Sequence, residues 1–363
     1  MKEENLPESL LEAVQYFADE DRAHDFFVQM RWPDGVRCAH CGSDNVGKLV
    51  KSGSRRLWNC KGCKKQFTAK IGTVFNESPL PLSKWLPALW LVVNAKNGIS
   101  SCELARALKI TQKSAWFMGH RIRASIQRGG GIFNADGVFE CDESFIGGLS
   151  RNMHADKRAK KITGRGGAAG KSIVMGLLAR HSASMPHSKV VARVVKSPSA
   201  PDLMREVYRN IPVGAEVHTD TWRSYAALDR AWEHKVVDHA EAYVQNGVHT
   251  NGLENFWALL KRTLKGTYVH CAPFHLYRYL DEQTYRFNER KHEDGDQGRF
   301  MDAVKTTTGR RLTWDGLTGK EPKKTVQSRL KSGGGIFALV EIGHFARAAA
   351  LVLGLSFHSV SAS

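Results

Sequence analysis

The feature that most restricts what this chain can become is a pair of cysteine knuckles. Cys38–Cys41 and Cys60–Cys63 are each Cys-x2-Cys, with 18 residues between the pairs. Four thiolates at this spacing close a tetrahedron around structural zinc. The surrounding segment, 36–68, has little core of its own, so folding there is coupled to metal binding. The expected product is a small β-ribbon holding one Zn2+ through Cys38, Cys41, Cys60 and Cys63. His40 lies within the first knuckle, but four cysteines already fill the shell. The start, MKEENLPESLLEAV, lacks the basic and apolar regions of a signal peptide. The longest apolar stretch, Ile336 to Leu355, is interrupted by Glu341, His344 and Arg347, so no membrane span is expected. A cytoplasmic setting keeps thiols reduced, which favours metal over disulfides.

Charge narrows the partner. Lys and Arg total 53 against 36 Asp and Glu, a net +17 over 363 residues. A chain this basic is expected to meet a polyanion, above all nucleic acid. Basic residues flank the knuckles (Arg55, Arg56, Lys61, Lys64, Lys65). Further on, Ile99 to Arg123 has the pattern of a helix-turn-helix. Leu104, Ala105 and Leu108 form one apolar face, and Thr111 is placed to cap the second helix. Ala115, Trp116, Met118 and Ile122 anchor that helix, with Gln112, Lys113 and Ser114 at its start, where a recognition helix meets base edges. Lys113 and Arg121 are the expected DNA contacts here, and Cys102 is read as a buried thiol.

Two short helices are expected within 8–32 and helices over 82–127. Strand-like runs at Val138–Cys141, Ser172–Leu178, Val190–Val195, Glu216–Thr219 and Lys235–Asp238 alternate with helix candidates at 200–210 and 221–231. This indicates an α/β domain. Helices follow at 252–265 and 273–288, while 289–297 and 318–335 read as linkers. The expected domains are N-terminal helices (1–35), zinc ribbon (36–78), helix-turn-helix region (79–130), α/β domain (131–292) and C-terminal extension (293–363). Within the α/β domain, 147–171 is a Gly-rich basic insert. Its Lys157, Arg158, Lys160, Lys161 and Arg165 are placed to track a DNA backbone.

Three acids stand out in this basic setting: Asp142 in VFECDES, Asp220 in EVHTDTW and Glu254 in HTNGLENFW. The two aspartates sit at the ends of strand-like runs, where an ordinary reading is a turn or cap. Glu254 has a sharper alternative, a capping box with Asn251 as N-cap and Glu254 three residues on. On a helical wheel Leu253, Phe256, Trp257, Leu260 and Leu264 form the buried face. Glu254, Lys261 and Lys265 form a stripe along its border. Clustered carboxylates raise one another's pKa, a cost that a metal site requires and a structural role does not. All-oxygen ligation favours Mg2+ or Mn2+, and two such ions can clamp the attacking and leaving oxygens of a phosphodiester.

At these residues the chain resembles bacterial insertion-sequence transposases with an N-terminal zinc ribbon and an RNase H-like DDE domain. The resemblance runs from about Phe26 to Lys291, through RWPDGVRCAHCGS, FTAKIGTVFNESPLPLSKW, FECDESFIGG, VHTDTWRSY, HTNGLENFWALLKRTLKGTYVH and YLDEQTYRFNER. It implies an RNase H-like mixed sheet flanked by helices, with Asp142 on the central first strand, Asp220 just after the fourth and Glu254 on a following helix. Lys261 matches the basic residue often found seven after that Glu, and His249, Thr250 and Asn251 match the motif ahead of the helix. Asn251 and Asn255 are alternative contributors, because some relatives use Asn where others use Glu. From Gly333 on the chain departs from the pattern. The expected activity is cleavage and joining of element ends, with Asp142 spanning two Mg2+ and Asp220 and Glu254 each completing one. The expected partners are double-stranded DNA, as element ends and target, and at least one further copy of the chain, since two ends must be synapsed. The setting is the bacterial nucleoid. The rival readings are a catalytically inactive DNA-binding regulator and a related metal-dependent nuclease.

Overall fold

The computed structural model describes residues 6–49, 56–127, 133, 137–148, 153–161, 170–238 and 247–320. Two helices open the chain, α1 (Leu10–Ala18) and α2 (Glu20–Arg31), each started by a side-chain cap. Ser9 accepts from the Glu12 amide at 3.3 Å, and Asp19 from the Arg22 amide at 2.7 Å. The ribbon follows as β1 (Val46–Lys48), β2 (Trp58–Cys60) and β3 (Gln66–Phe67), all antiparallel. It cannot bury much by itself, and it docks through Trp58, which stacks on Phe67 at 5.8 Å and on His24 of α2 at 5.6 Å.

Next comes α3 (Leu82–Asn94), whose Trp85, Leu86, Leu89 and Trp90 are buried almost completely. The helices α4 (Ser101–Leu108) and α5 (Gln112–Ile126) follow, joined by a turn with Lys109 in the left-handed region at φ 49°. Thr111 caps α5 as expected, accepting from the Ser114 amide at 3.1 Å. Cys102 is exposed rather than buried, because the apolar face of α4 is carried by Leu104 and Ala105.

The α/β part is one five-stranded mixed sheet: β4 (Val138–Ile146), β5 (Ser172–Ala179), β6 (Lys189–Val195), β7 (Glu216–Asp220) and β8 (Glu233–Val237). The spatial order is β6-β5-β4-β7-β8. The first three are antiparallel, whereas β7 and β8 run parallel to β4. Alternation splits the sheet's side chains between two cores. Phe139, Cys141, Met175, Leu177 and Val217 share one core with α7 (Ala200–Asn210). Val174, Leu178, Val190 and Ala192 share the other with α8 (Asn251–Arg262) and α9 (Leu276–Asn288). Within the basic insert the described residues include α6 (Ala155–Lys161).

Several expectations are corrected. β4 runs on to Ile146 because it pairs with β5 down to Ile146↔Ser172, so Asp142 lies mid-strand and not at a strand end. The stretch 221–231 is two short 3-10 turns, Arg223–Tyr225 and Leu228–Arg230, since its amides bond three residues back. The helix α8 stops at Arg262 and continues as a π-turn over Thr263–Thr267. The polar run 289–297 is no linker. It is a tight turn into α10 (Gly295–Lys305), whose Phe300 packs on Phe17, Phe26 and Trp90. Polarity misleads here because α10 is anchored by Phe300, Ala303 and Val304, all beyond the polar run. The described residues from Trp314 to Lys320 belong to a separate unit that begins with α11 (Trp314–Thr318). The stretch 321–363, with the departing segment from Gly333 and the apolar run 336–355, lies outside the described residues.

Candidate active site and metal centre

The zinc centre is built by the ribbon. The Cys38 and Cys63 sulfurs are 3.7 Å apart and those of Cys41 and Cys60 3.6 Å, with all four within 4.8 Å of one another. Zn–S bonds of about 2.3 Å make a tetrahedron with edges near 3.8 Å, so this donor set fits Zn2+. Backbone N–H groups of His40 and Cys63 point at Cys38 Sγ and Cys60 Sγ, both at 3.4 Å. The ring of His40 turns to the Gln66 carbonyl at 3.3 Å, away from ligation. Purified protein is expected to carry one zinc per chain, and Cys60→Ser to lose it and loosen the ribbon. Elemental analysis with Trp fluorescence checks this. Full zinc occupancy in Cys60→Ser would count against the site.

The acidic site forms where α8 crosses the sheet. Glu140, Asp142 and Ser144 share the α8 side of β4. The parallel pairing of β4 with β7 reaches Glu140↔His218, and continuing it by two residues sets Asp142 beside Asp220. Opposite Asp142 on β5 is Gly176, and this glycine lets the helix approach. A Cβ there would lie 2.6 Å from Trp257 and 2.8 Å from Leu253. Trp257, buried over that gap, donates its indole N–H to Asp142 Oδ2 at 2.8 Å. Glu254 is exposed one turn earlier on the same helix.

Burial, with the charges of Asp220 and Glu254 added, pushes Asp142 up to about 6, against the opposing pull of the Trp257 bond. The three acids therefore share one electrostatic field. They are not among the described groups whose ligand atoms converge within 4.8 Å. Gly176→Ala should force α8 off the sheet, at about 1–3 kcal/mol for overpacking. Thermal melting would check it, and an unchanged melting temperature would contradict the close approach.

Two features of the site were not anticipated from the sequence. Glu143, on the opposite face of β4, accepts a 2.6 Å bond from the buried Tyr225 hydroxyl. Burial, with Asp142 and Asp220, pushes its carboxyl up to about 7. The Asp142–Glu143 doublet was the available signal in the sequence. The other feature is the seat of α8. Glu140 Oε2, 1% exposed, accepts the Leu253 amide at 3.0 Å. Arg180 donates to Glu140 at 2.7 Å, and to the carbonyl and Nδ1 of His249 at 2.6 and 2.8 Å. Gly252 is needed there, as its Cβ would be 2.9 Å from Glu140.

This seat overturns the capping-box alternative. The helix begins at Asn251 with Thr250 as N-cap and no side-chain cap bond, so Glu254 falls in the fourth helical position. Its amide already bonds the Thr250 carbonyl. Asn251, Asn255, Lys261 and Lys265 are exposed.

The expected DNA contacts divide. Lys113 is exposed at the start of α5, and Arg158 is exposed on α6. Lys157, Lys160 and Lys161 are in α6, but their side chains lie outside the described residues, as does Arg165. Arg121 is corrected: it is 4% exposed, bonds the Asn76 carbonyl and packs over Trp85 and Phe117. The inward face of an amphipathic helix takes it, and its charge is not offered to a phosphate. Arg56 is likewise engaged, pairing with Asp21.

The acid-bearing sheet and the cysteine ribbon both fall within segments that match known protein families. Residues 134–288 match the family model of the ISXO2-like transposase domain, and residues 18–66 that of the transposase zinc-ribbon domain. The chain belongs to the ISXO2-like family of insertion-element transposases. It is 26% identical over 261 residues to an uncharacterized protein in transposable element ISH50 of Halobacterium salinarum, covering 69% of this chain and 85% of that one. It is 32% identical over 101 residues to an uncharacterized transposase-like protein of Haemophilus influenzae, covering 28% of this chain and 81% of the relative. Among the described residues no helix is long and apolar enough to cross a membrane.

Proposed function

We propose that this transposase cleaves and joins element ends through an RNase H-like DDE site. Asp142, Asp220 and Glu254 would together hold two Mg2+ (or Mn2+) ions. The observation that carries this is the strand register that sets Asp142 beside Asp220, with Trp257 of α8 donating to Asp142 one turn along the helix from Glu254. An all-carboxylate donor set fits hard cations. Such ions would supply Lewis-acid activation of water for phosphodiester hydrolysis and charge stabilisation for the attack of the freed 3'-OH on target DNA.

The chain's own groups do the rest. Trp257 holds Asp142 in one rotamer through its indole N–H. Lys261, two turns along α8 from Glu254, offers its ammonium to a phosphate. The α4–α5 pair reads element ends as a helix-turn-helix, with Lys113 near the base edges. Arg158 with its insert neighbours Lys157, Lys160, Lys161 and Arg165, and Lys265 on the catalytic side, neutralise backbone phosphates. Synapsis of two ends calls for a homodimer or larger assembly at the nucleoid.

The test is incubation of purified protein with labelled DNA bearing the element ends, target DNA and Mg2+. Joined products are expected. Hydrolysed ends without joining would leave a nuclease, and sequence-specific binding without cleavage a regulator.

A further inference from the structure

Trp222 is the one tryptophan among the exposed large hydrophobics of the described residues, at 47% exposure, while Trp58, Trp85, Trp90, Trp232 and Trp257 are buried. It lies two residues after Asp220 and is held in place. Its backbone N–H donates to Asp220 Oδ1 at 3.1 Å, its indole N–H to Ser224 Oγ at 3.1 Å, and Ser224 in turn to the Pro198 carbonyl at 2.7 Å. The same turn sends Tyr225 inward to Glu143 and leaves Arg223 exposed. The polar edge of the indole is thus satisfied from within, and what it offers outward is apolar ring.

Single exposed apolar side chains are common and need no function. This one differs in being locked by hydrogen bonds at the edge of an acidic site, with the exposed Arg223 following it in the same turn. A rigid ring beside a cation is the arrangement that takes a nucleobase and its phosphate. A protein partner seated on this ring would cover Asp220.

We propose that Trp222 is a stacking platform for a DNA base adjoining the phosphodiester addressed by Asp142 and Asp220, and that this base is unstacked from its duplex when bound. The inference rests on the carboxylate reading above, and its test separates the two. Trp222 acts on the DNA and takes no part in holding cations.

The probe is a duplex with a frayed end carrying a fluorescent purine analogue, bound by the full-length protein. Wild type should quench the analogue, Trp222→Phe should retain most of the quenching and affinity, and Trp222→Leu should bind about 5- to 100-fold more weakly with little quenching. An abasic site in place of the analogue should weaken wild type by a similar factor and leave Trp222→Leu almost unaffected. Equal quenching by wild type and Trp222→Leu overturns the proposal, as does an abasic penalty that is the same for both proteins. A Trp222→Leu variant that forms smaller assemblies with unaltered DNA affinity would assign the ring to a second copy of the chain and also overturn it. Asp142→Asn should quench like wild type. If wild type quenches but Mg2+-dependent cleavage persists in Asp142→Asn, the carboxylate reading fails and the platform stands.

Discussion

Asp142→Asn is expected to abolish Mg2+-dependent cleavage and joining, by about a thousandfold or more, while leaving the fold at least as stable at neutral pH. A loss of that size corresponds to roughly 4 kcal/mol of transition-state stabilisation. The amide keeps an oxygen for the Trp257 indole N–H, so α8 retains its contact. It removes a charge that the site disfavours, since burial and the neighbouring acids push the Asp142 carboxyl from 3.8 up to about 6.

The sign follows from proton linkage. A carboxyl with a raised folded pKa holds its proton more tightly folded than unfolded. The metal-free protein therefore loses stability as pH rises from about 4 through about 6, and the mutant should lose less over that window. Denaturant titrations at several pH values, with and without Mg2+, measure this. Wild-type activity in Asp142→Asn would remove the site. A mutant that is inactive but strongly destabilised would make Asp142 structural. Glu254→Gln belongs in the same experiment. With the capping box absent, it should cost catalysis and leave the helix intact.

Arg180→Met is expected to be the most destabilising single change near the site. Arg180 is the guanidinium partner of Glu140, whose carboxylate is 1% exposed. Removing one partner of a buried pair leaves the other charge uncompensated, at about 3–5 kcal/mol. The damage should be local at first, since Glu140 and Arg180 between them hold the Leu253 amide and the His249 backbone. Hydrogen exchange should therefore rise in peptides covering 249–256 before it rises in α9. Glu140→Gln together with Arg180→Met should recover much of the stability, because the pair is then neutral. An Arg180→Met protein with wild-type exchange over 249–256 would show that the pair does not seat the helix. A shift of α8 by about 1 Å would itself cost on the order of a hundredfold in rate, so activity should fall even where the protein remains folded.

How far the site was legible in the sequence depended on the range of the interaction that forms each part. The zinc ribbon was readable because its ligands come in two local pairs, and thiolate chemistry permits few alternatives. Helix periodicity marked α3, α4, α5, α8 and α9, and Thr111 was legible as a cap because capping is settled within four residues. Asp142, Asp220 and Glu254 could be singled out as candidates by their settings. Where local signals competed, the reading failed. The Asn251 capping box was locally sound, but the buried Glu140 carboxylate had already taken the helix N-terminus. Arg121 looked like any basic residue on a recognition helix until packing on Trp85 drew it inward.

By itself, then, the sequence determined the strands of the sheet, the helices with clear periodicity, the metal-binding ribbon and the short set of candidate acids. Only the tertiary structure decided that Gly176 is the gap through which Trp257 reaches Asp142, that Arg180 pairs with Glu140 to seat α8, and that Trp222 stands exposed beside Asp220. The reason is the register of strands far apart in the chain. Which residue of β5 or β7 lies opposite Asp142 is fixed by the summed packing of both sheet faces, and no local window of residues contains that sum.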